Sequence, residues 1–167
     1  DSVYEDDETA IVAISGVSGG NATESGTQSI RVTVTENESA PTITLATSAS
    51  SIAENSSDTV TLTATASQIA DENITVTLAT TGTGTSGADY SAVNGTTITI
   101  AAGATTGTKT FTITDDSVYE GDESVIVAIS GVSGGGATES GTQSMTVTIA
   151  ENETSQTVQI PYRAARA

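Results

Sequence analysis

The chain has 167 residues, a formal net charge of -17 at pH 7, and no Cys, His or Trp. These absences exclude disulfides, thiolate metal sites and His-dependent catalysis, so we expect a protein that is not an enzyme. Because only four basic residues stand against 21 acidic ones, we expect no nucleic-acid partner, and because no apolar run is long enough to span a bilayer, we expect no direct membrane insertion.

Two segments of the chain are near copies of each other. Residues 1–39 and 116–154 are identical at 30 of 39 positions, with an offset of 115 residues. A repeat of this period corresponds to a whole domain rather than to a solenoid unit. We therefore predict tandem repeats of about 115 residues. The last two strands of one repeat occupy 1–39, a complete repeat occupies 40–153, and 154–167 is the start of a third repeat or a divergent tail.

The complete repeat alternates apolar and polar residues with a period of two and shows no helical period. Seven strands are predicted, at 42–47, 59–66, 73–80, 96–101, 107–114, 124–130 and 143–150. Asn94-Gly95 predicts a tight turn before the fourth strand, and the Gly/Ser-rich stretch 130–141 predicts a long turn between the last two. This pattern predicts an all-β, immunoglobulin-like, seven-stranded antiparallel sandwich.

The loop between the fifth and sixth predicted strands, residues 115–123, is the acidic loop. It carries five carboxylates in nine residues. Two interpretations stay open: a solvated acidic turn, or an oxygen cage for a hard cation. Two unit charges ~4 Å apart repel by about 4 kcal/mol at an effective dielectric near 20. Calcium, which takes six to eight oxygen ligands, would remove that cost.

Further acids are predicted to lie beside the acidic loop, because antiparallel strands place alternate loops at the same end of a sandwich. We call this end the acidic end, and the other the opposite end. The candidate ligands of the acidic end are Glu54, Asp89, Asp115, Asp116, Glu120, Asp122, Glu151 and Glu153. Convergence of four separate segments favours a calcium site over a solvated turn.

A second cation site is predicted at the joint between the partial first repeat and the complete one. The partial repeat would place Asp1, Glu5, Asp7, Glu36 and Glu38 against the opposite end, where Asp71 and Glu72 lie. We expect the joint to flex by mutual repulsion without metal and to be locked by calcium.

Three motifs in order resemble the Calx-beta domain: Ser51-Ile52-Ala53-Glu54-Asn55, then Ser86-Gly87-Ala88-Asp89-Tyr90, then the acidic loop with its Asp115-Asp116-Ser117-Val118-Tyr119-Glu120-Gly121-Asp122-Glu123. That family includes regulatory domains of sodium–calcium exchangers and repeats of large bacterial surface adhesins. The resemblance implies a seven-stranded sandwich that binds Ca²⁺ at the acidic end. The ligands that it implies are Glu54, Asp89, Asp115, Asp116 and Glu120.

The chain departs from the exchanger pattern after the last strand. Exchanger domains have a run of Asp there, whereas this chain has Glu151 and Glu153, which implies fewer or more weakly bound ions. Glu123 matches the acidic motif, but the start of the sixth strand accounts for it equally well. Tyr90 and Tyr119 flank the acids, and we expect both to pack over the site.

The function that we expect is a calcium-binding structural repeat of a long extracellular adhesin stalk or fibre, secreted or on the cell surface, with calcium rigidifying the joints. Near-identical neighbours favour a spacer. The partners would be neighbouring repeats of the same chain, or other copies in a fibre. Two alternatives stay open: a regulatory calcium-sensor domain, and a subunit of a filament assembled by strand addition.

Overall fold

The computed structural model describes residues 2–56 and 58–158. The described residues are almost entirely strand and loop, with one short 3₁₀ turn at Glu54–Ser56. The strands are β1 (Glu8–Ala13), β2 (Ser29–Val34), β3 (Thr42–Thr47), β4 (Ser51–Ala53), β5 (Thr59–Ala66), β6 (Ile74–Gly82), β7 (Thr97–Ile100), β8 (Thr106–Thr112), β9 (Glu123–Ser133), β10 (Thr138–Glu139) and β11 (Ser144–Ala150). The all-β prediction is confirmed.

Residues 42–150 form two sheets that enclose one core. One sheet has the order β10-β3-β5-β8 and the other has the order β4-β11-β9-β6-β7. The long strands pair antiparallel, whereas the short strands β4 and β10 pair parallel with β11 and β3. This arrangement is the predicted immunoglobulin-like sandwich.

The core follows the alternation of the sequence. On β5, Val60, Leu62 and Ala64 are fully buried, while the threonines between them point outward. The same pattern on the other strands contributes Ile and Val side chains from both sheets to one cluster. Tyr90 and Phe111 pack edge to face, with ring centroids 5.9 Å apart. Burial of one face of each strand fixes the strand register and therefore fixes which loops share an end.

The structure differs from the sequence prediction in β9. The strand runs on to Ser133, so the turn predicted from residue 130 begins only at Gly134. Thr77 pairs with Gly131, and the next residue, Leu78, pairs with Ile129, so Ser130 is the extra residue of a β-bulge. The bulge absorbs one residue and lets the ladder continue through a Gly that the sequence pattern assigns to a turn.

The segment predicted to be a partial repeat contains the antiparallel hairpin β1–β2, and all its strand residues are exposed. Val12 is 66% exposed, whereas its counterpart Val127 in the complete repeat is fully buried. The difference arises because, among the described residues, β1 and β2 form a separate two-stranded sheet whose apolar side chains no second sheet covers. The division of the chain among three repeats stays a prediction, and residues 159–167 lie outside the described part.

Candidate metal centre

Four segments bring carboxylates together at the acidic end. They are the 3₁₀ turn after β4, the loop between β6 and β7, the acidic loop between β8 and β9, and the residues after β11. The carboxylate cluster consists of Glu54, Asp89, Asp116, Glu120, Glu123, Glu151 and Glu153. The segments are distant in the sequence, so the sandwich itself creates the cluster.

The cluster contains three groups of three carboxylates. Within each group, one oxygen from every residue lies within 4.8 Å of the others. The groups are Glu54, Asp116 and Glu120; Glu54, Glu151 and Glu153; and Asp89, Glu120 and Glu123. Because the first group shares Glu54 with the second and Glu120 with the third, its candidate ion position adjoins the other two.

Glu54 owes its position to the short strand β4. The parallel pairing of Ile52 with Ile149 carries the start of the 3₁₀ turn to the end of β11. Glu54 is only 6% exposed. Burial, followed by the negative charges of nearby carboxylates led by Glu151 and Glu153, raises its pKa to about 7. A bound cation would favour the ionised form that this environment opposes.

Asp89 is held by its own loop and by the end of β8. Its carboxylate accepts a hydrogen bond from the backbone N–H of Thr85, and its carbonyl accepts one from Thr114 at 2.8 Å. The buried ring of Tyr90 anchors the loop in the core, so Asp89 is only 3% exposed. These bonds fix a buried carboxylate on the side of the cluster that holds Glu120 and Glu123.

Glu123 belongs to the cluster although the sequence-based ligand set omits it. It is the first residue of β9, as the sequence suggests, and its carboxylate still points toward Asp89. Burial, then a hydrogen bond with Asp89 and the charges of neighbouring acids, raises its pKa to about 7. The sequence signal that could have placed Glu123 in the cluster is its position in the acidic motif.

Glu151 has the opposite electrostatic environment. Its Oε2 accepts backbone N–H groups from Glu120 at 2.6 Å and Gly121 at 2.8 Å, and its Oε1 accepts those of Asn152 and Glu153. Backbone hydrogen bonds, that of Glu153 foremost, hold its pKa at about 2. Glu151 is therefore charged at neutral pH and links the acidic loop to the end of β11.

Two predicted ligands, Asp115 and Asp122, lie outside the three groups of carboxylates. Asp122 accepts the backbone N–H of Glu151 at 3.1 Å and belongs to none of the three groups. Asp115 is exposed and also lies outside the groups, although its charge raises the pKa of Glu54 and Glu153. Asp122 thus positions Glu151. Tyr119 is 52% exposed and lines a cleft with Glu153, so it borders the cluster without being buried over it.

The donors of the cluster fit calcium. Every donor is a carboxylate oxygen, as hard cations prefer. One oxygen of Glu153, Oε2, is buried without any hydrogen-bond partner in the protein. Buried polar atoms normally have a partner, and a cation would supply one here. The basic side chains among the described residues, Arg31 and Lys109, lie on β2 and β8 and are not part of the cluster.

Several of the hydrogen bonds around Glu151 have counterparts beside the hairpin β1–β2. Glu36, the counterpart of Glu151, accepts the backbone N–H of Glu5 and, at 2.7 Å, that of Glu38. Asp7 accepts the N–H of Glu36 at 2.8 Å, as Asp122 does for Glu151. Glu5, Glu36 and Glu38 line one cleft, and Glu5, Asp7 and Asp71 line another.

Within residues 2–56 and 58–158, neither cleft of the joint brings three carboxylate oxygens within 4.8 Å of one another. Asp1 lies outside the described residues. A cation site at the joint therefore stays a prediction.

The described part of the chain contains no helix of the length and apolarity needed to cross a bilayer.

The family model of the Calx-beta domain matches residues 36–153. The chain therefore belongs to the Calx-beta domain family. Calx-beta domains bind Ca²⁺ and are structural or sensor domains, so the predicted Ca²⁺ and the resemblance are both confirmed. No curated protein matches the chain.

Solved structures with the same fold include three that are each 18% identical to this chain. The apo form of the Calx CBD1 domain has a TM-score of 0.55, and the match covers 68% of this chain and 99% of that one. CBD12 from CALX1.2 has a TM-score of 0.56, with 65% and 43% covered. The calcium binding domain CBD12 of CALX1.1 has a TM-score of 0.52, with 63% and 44% covered. The chain spans less than half the length of these last two structures, and identities this low show the fold alone.

Proposed function

We propose that this chain is a calcium-binding structural segment of an extracellular stalk or fibre, in which calcium rigidifies the joints between neighbouring repeats. The observation that carries the proposal is the carboxylate cluster, in which Glu54 and Glu120 are each shared by two groups. In a protein of net charge -17 the carboxylates of such a cluster repel one another, and at neutral pH a bound cation relieves that repulsion. Ion binding and a fixed loop geometry are thereby coupled.

The near-identity of the two copies supports a structural role. Four of the hydrogen bonds around Glu151 recur around Glu36, while the bond from Gly121 to Glu151 is found in the second copy alone among the described residues. A spacer needs length and repeated joints, whereas a sensor domain works as an individual. Partners on this proposal are neighbouring repeats of the same chain, and the setting is secreted or cell-surface, where calcium is abundant enough for weak sites.

A second candidate function is a regulatory calcium sensor. The likeness to Calx CBD1 and CBD12 structures favours it. The two functions require different affinities. A sensor needs dissociation constants of about 10⁻⁷–10⁻⁵ M, whereas extracellular modules work at about 10⁻⁴–10⁻³ M.

A third candidate is a filament subunit assembled by strand addition, which the exposed hairpin β1–β2 favours. Its apolar residues, such as Val12 and Ile30, would need cover from strands of another copy. Sedimentation of the chain at rising concentration distinguishes this candidate, because a filament subunit would form long polymers and a stalk segment would not.

The test of the proposed function is a calorimetric calcium titration of the full chain. We expect binding at about 10⁻⁴–10⁻³ M. Micromolar binding would favour the sensor function instead. If no heat of binding is measured up to 10 mM calcium, roughly tenfold above the range expected for extracellular modules, both the structural and the sensor functions are overturned.

A further inference from the structure

The hairpin β1–β2 is fastened to the complete repeat by the residue Tyr4. Its backbone N–H donates to the carbonyl of Ile69 at 3.0 Å, and its own carbonyl accepts the N–H of Asp71 at 3.1 Å. The two bonds form a parallel β-bridge between Tyr4 and Ala70. Tyr4 lies in the copy of the acidic loop, so this loop docks on the opposite end of the next repeat.

The side chain of Tyr4 lies so close to Gly136 that a Cβ at this position would displace the ring. A Cβ added to Gly136 would lie 2.6 Å from both Cε1 and Oη of the Tyr4 ring. Gly136 has φ +59 in the turn that follows β9, and a Cβ added to Gly135 would lie 2.8 Å from the Cβ of Ala70. We call Ala70, Gly135 and Gly136 the tyrosine seat.

Tyr119 is the counterpart of Tyr4 in the second copy, within the same Asp-Ser-Val-Tyr-Glu sequence. Its loop is held in the same way, because Glu151 accepts the N–H of Glu120 just as Glu36 accepts that of Glu5. Yet Tyr119 is 52% exposed, and its neighbour Val118 is 56% exposed. The chain therefore presents a preformed loop whose central aromatic side chain is about half exposed and borders a cleft with Glu153 and Gln156.

We propose that Tyr119 is a docking residue for the opposite end of a second copy of this repeat, where it enters that copy's tyrosine seat. The occupant follows from the chain itself, since a nearly identical loop already binds this seat through Tyr4. Such a contact joins two different surfaces, so it links copies head to tail wherever the receiving copy has Gly at the position of Gly136. The interface goes beyond calcium binding, because its contacts are backbone hydrogen bonds and an aromatic ring packed on glycine and alanine.

The first copy supplies a natural substitution that closes the seat. Asn21 stands where the second copy has Gly136, in the same turn and at φ 55. The bond that closes the turn is also the same: Ala22 donates to Gly19, and Ala137 donates to Gly134, each at 3.1 Å. Gly136→Asn should therefore fill the seat without backbone strain, since Asn tolerates this conformation.

The first experiment uses the chain as it is and measures hydrogen exchange of the Tyr4 and Asp71 amides. Gly136→Asn should accelerate both at least tenfold by releasing the ring and the bridge. The matched control is Gly141→Asn, at φ +66 with nothing within 4 Å, which should leave both rates unchanged. Tyr119→Ala should also leave them unchanged. Equal exchange in Gly136→Asn and Gly141→Asn would overturn the seat.

The second experiment tests Tyr119 in a lengthened chain, in which a second copy of residues 42–158 follows residue 156. Nitration of Tyr119 by tetranitromethane, followed by mass spectrometry, should be at least fivefold slower than in the original chain. Gly136→Asn in the added copy alone should restore the fast rate. An unchanged rate with calcium and with chelator would sink the proposal. Protection of Tyr119 in a chain that binds no calcium would sink the proposed function and leave the docking intact.

Discussion

At the residue scale, the acidic end contains carboxylates in two opposite environments. Burial is the main cause that raises the pKa values of Glu54 and Glu123 to about 7, while hydrogen bonds from backbone N–H groups hold the pKa of Glu151 at about 2. A charged anchor thus lies beside two carboxyls that are easily protonated. This combination makes both stability and ion binding depend on pH.

The first prediction concerns that pH dependence without metal. Between about pH 4.5 and 7 the folded state holds protons on Glu54 and Glu123 that the unfolded state has released, so stability falls as pH rises. Below pH 4.5 the low pKa of Glu151 acts in the opposite sense. We expect the melting temperature in chelator to be highest near pH 4.5 and to decline toward pH 7.

Glu54→Gln should flatten that decline, because it removes one of the two buried carboxyls. The same variant should lose most of the calcium-induced rise in melting temperature at pH 7. Asp58→Asn is the matched control, since it changes the charge equally at the same end but lies outside the three groups. A wild-type melting temperature that rises from pH 4.5 to 7 in chelator would contradict the assignment.

The second prediction separates two adjacent acids. Asp116 belongs to a group with Glu54 and Glu120, whereas Asp115 does not. Asp116→Asn should weaken calcium binding about tenfold or more, and Asp115→Asn about twofold, through its charge alone. Calorimetric titration of both variants compares them at equal charge. Equal losses would mean that Asp115 is a ligand, as the family resemblance implies.

At the element scale, the approach of β7 and β8 depends on a glycine. A Cβ on Gly107 would lie 2.3 Å from the carbonyl of Thr99, whereas one on Gly131 would meet nothing closer than 4.0 Å. The third prediction is that Gly107→Ala destabilises the fold by about 1–3 kcal/mol and that Gly131→Ala changes it little. Chemical denaturation measures both, and similar midpoints for the two variants would contradict this packing.

The short strand β4 shows why an element matters more than its length suggests. Its parallel pairing with β11 spans only Ser51–Ala53, yet it delivers Glu54 beside Glu151 and Glu153. Three residues are too few for an alternating pattern to indicate a strand, so the motif around Glu54 was visible in the sequence but its pairing partner was not.

At the scale of the whole molecule, the joint between hairpin and repeat combines an uncharged contact with repelling acids. Tyr4 docks on Ala70 and Gly136, while Glu5, Asp7 and Asp71 line the cleft beside it. The uncharged contact favours a fixed angle between the hairpin and the repeat, whereas repulsion among the acids opposes it. A divalent cation would relieve the opposition.

The fourth prediction follows from that balance. Small-angle scattering of the full chain should show a narrower distribution of hairpin positions in calcium than in chelator at the same ionic strength. Magnesium at equal concentration is the control for screening, because screening depends on charge and not on ion identity. Identical scattering profiles in calcium, magnesium and chelator would contradict calcium-dependent rigidity.

The sequence by itself determined the long strands and the end at which the acids gather, but not the short strands β4 and β10. Alternation along β5 and the other long strands is a local signal, and antiparallel order then assigns each loop to one end. Only the tertiary structure decided which carboxylates face one another: Glu123 belongs to the cluster and Asp115 lies outside its three groups. It also decided that Tyr4 packs against Gly136 while Tyr119 is exposed. The reason is physical: periodicity fixes the face on which a side chain lies, but distances between loops depend on hydrogen bonds and packing between segments far apart in the chain.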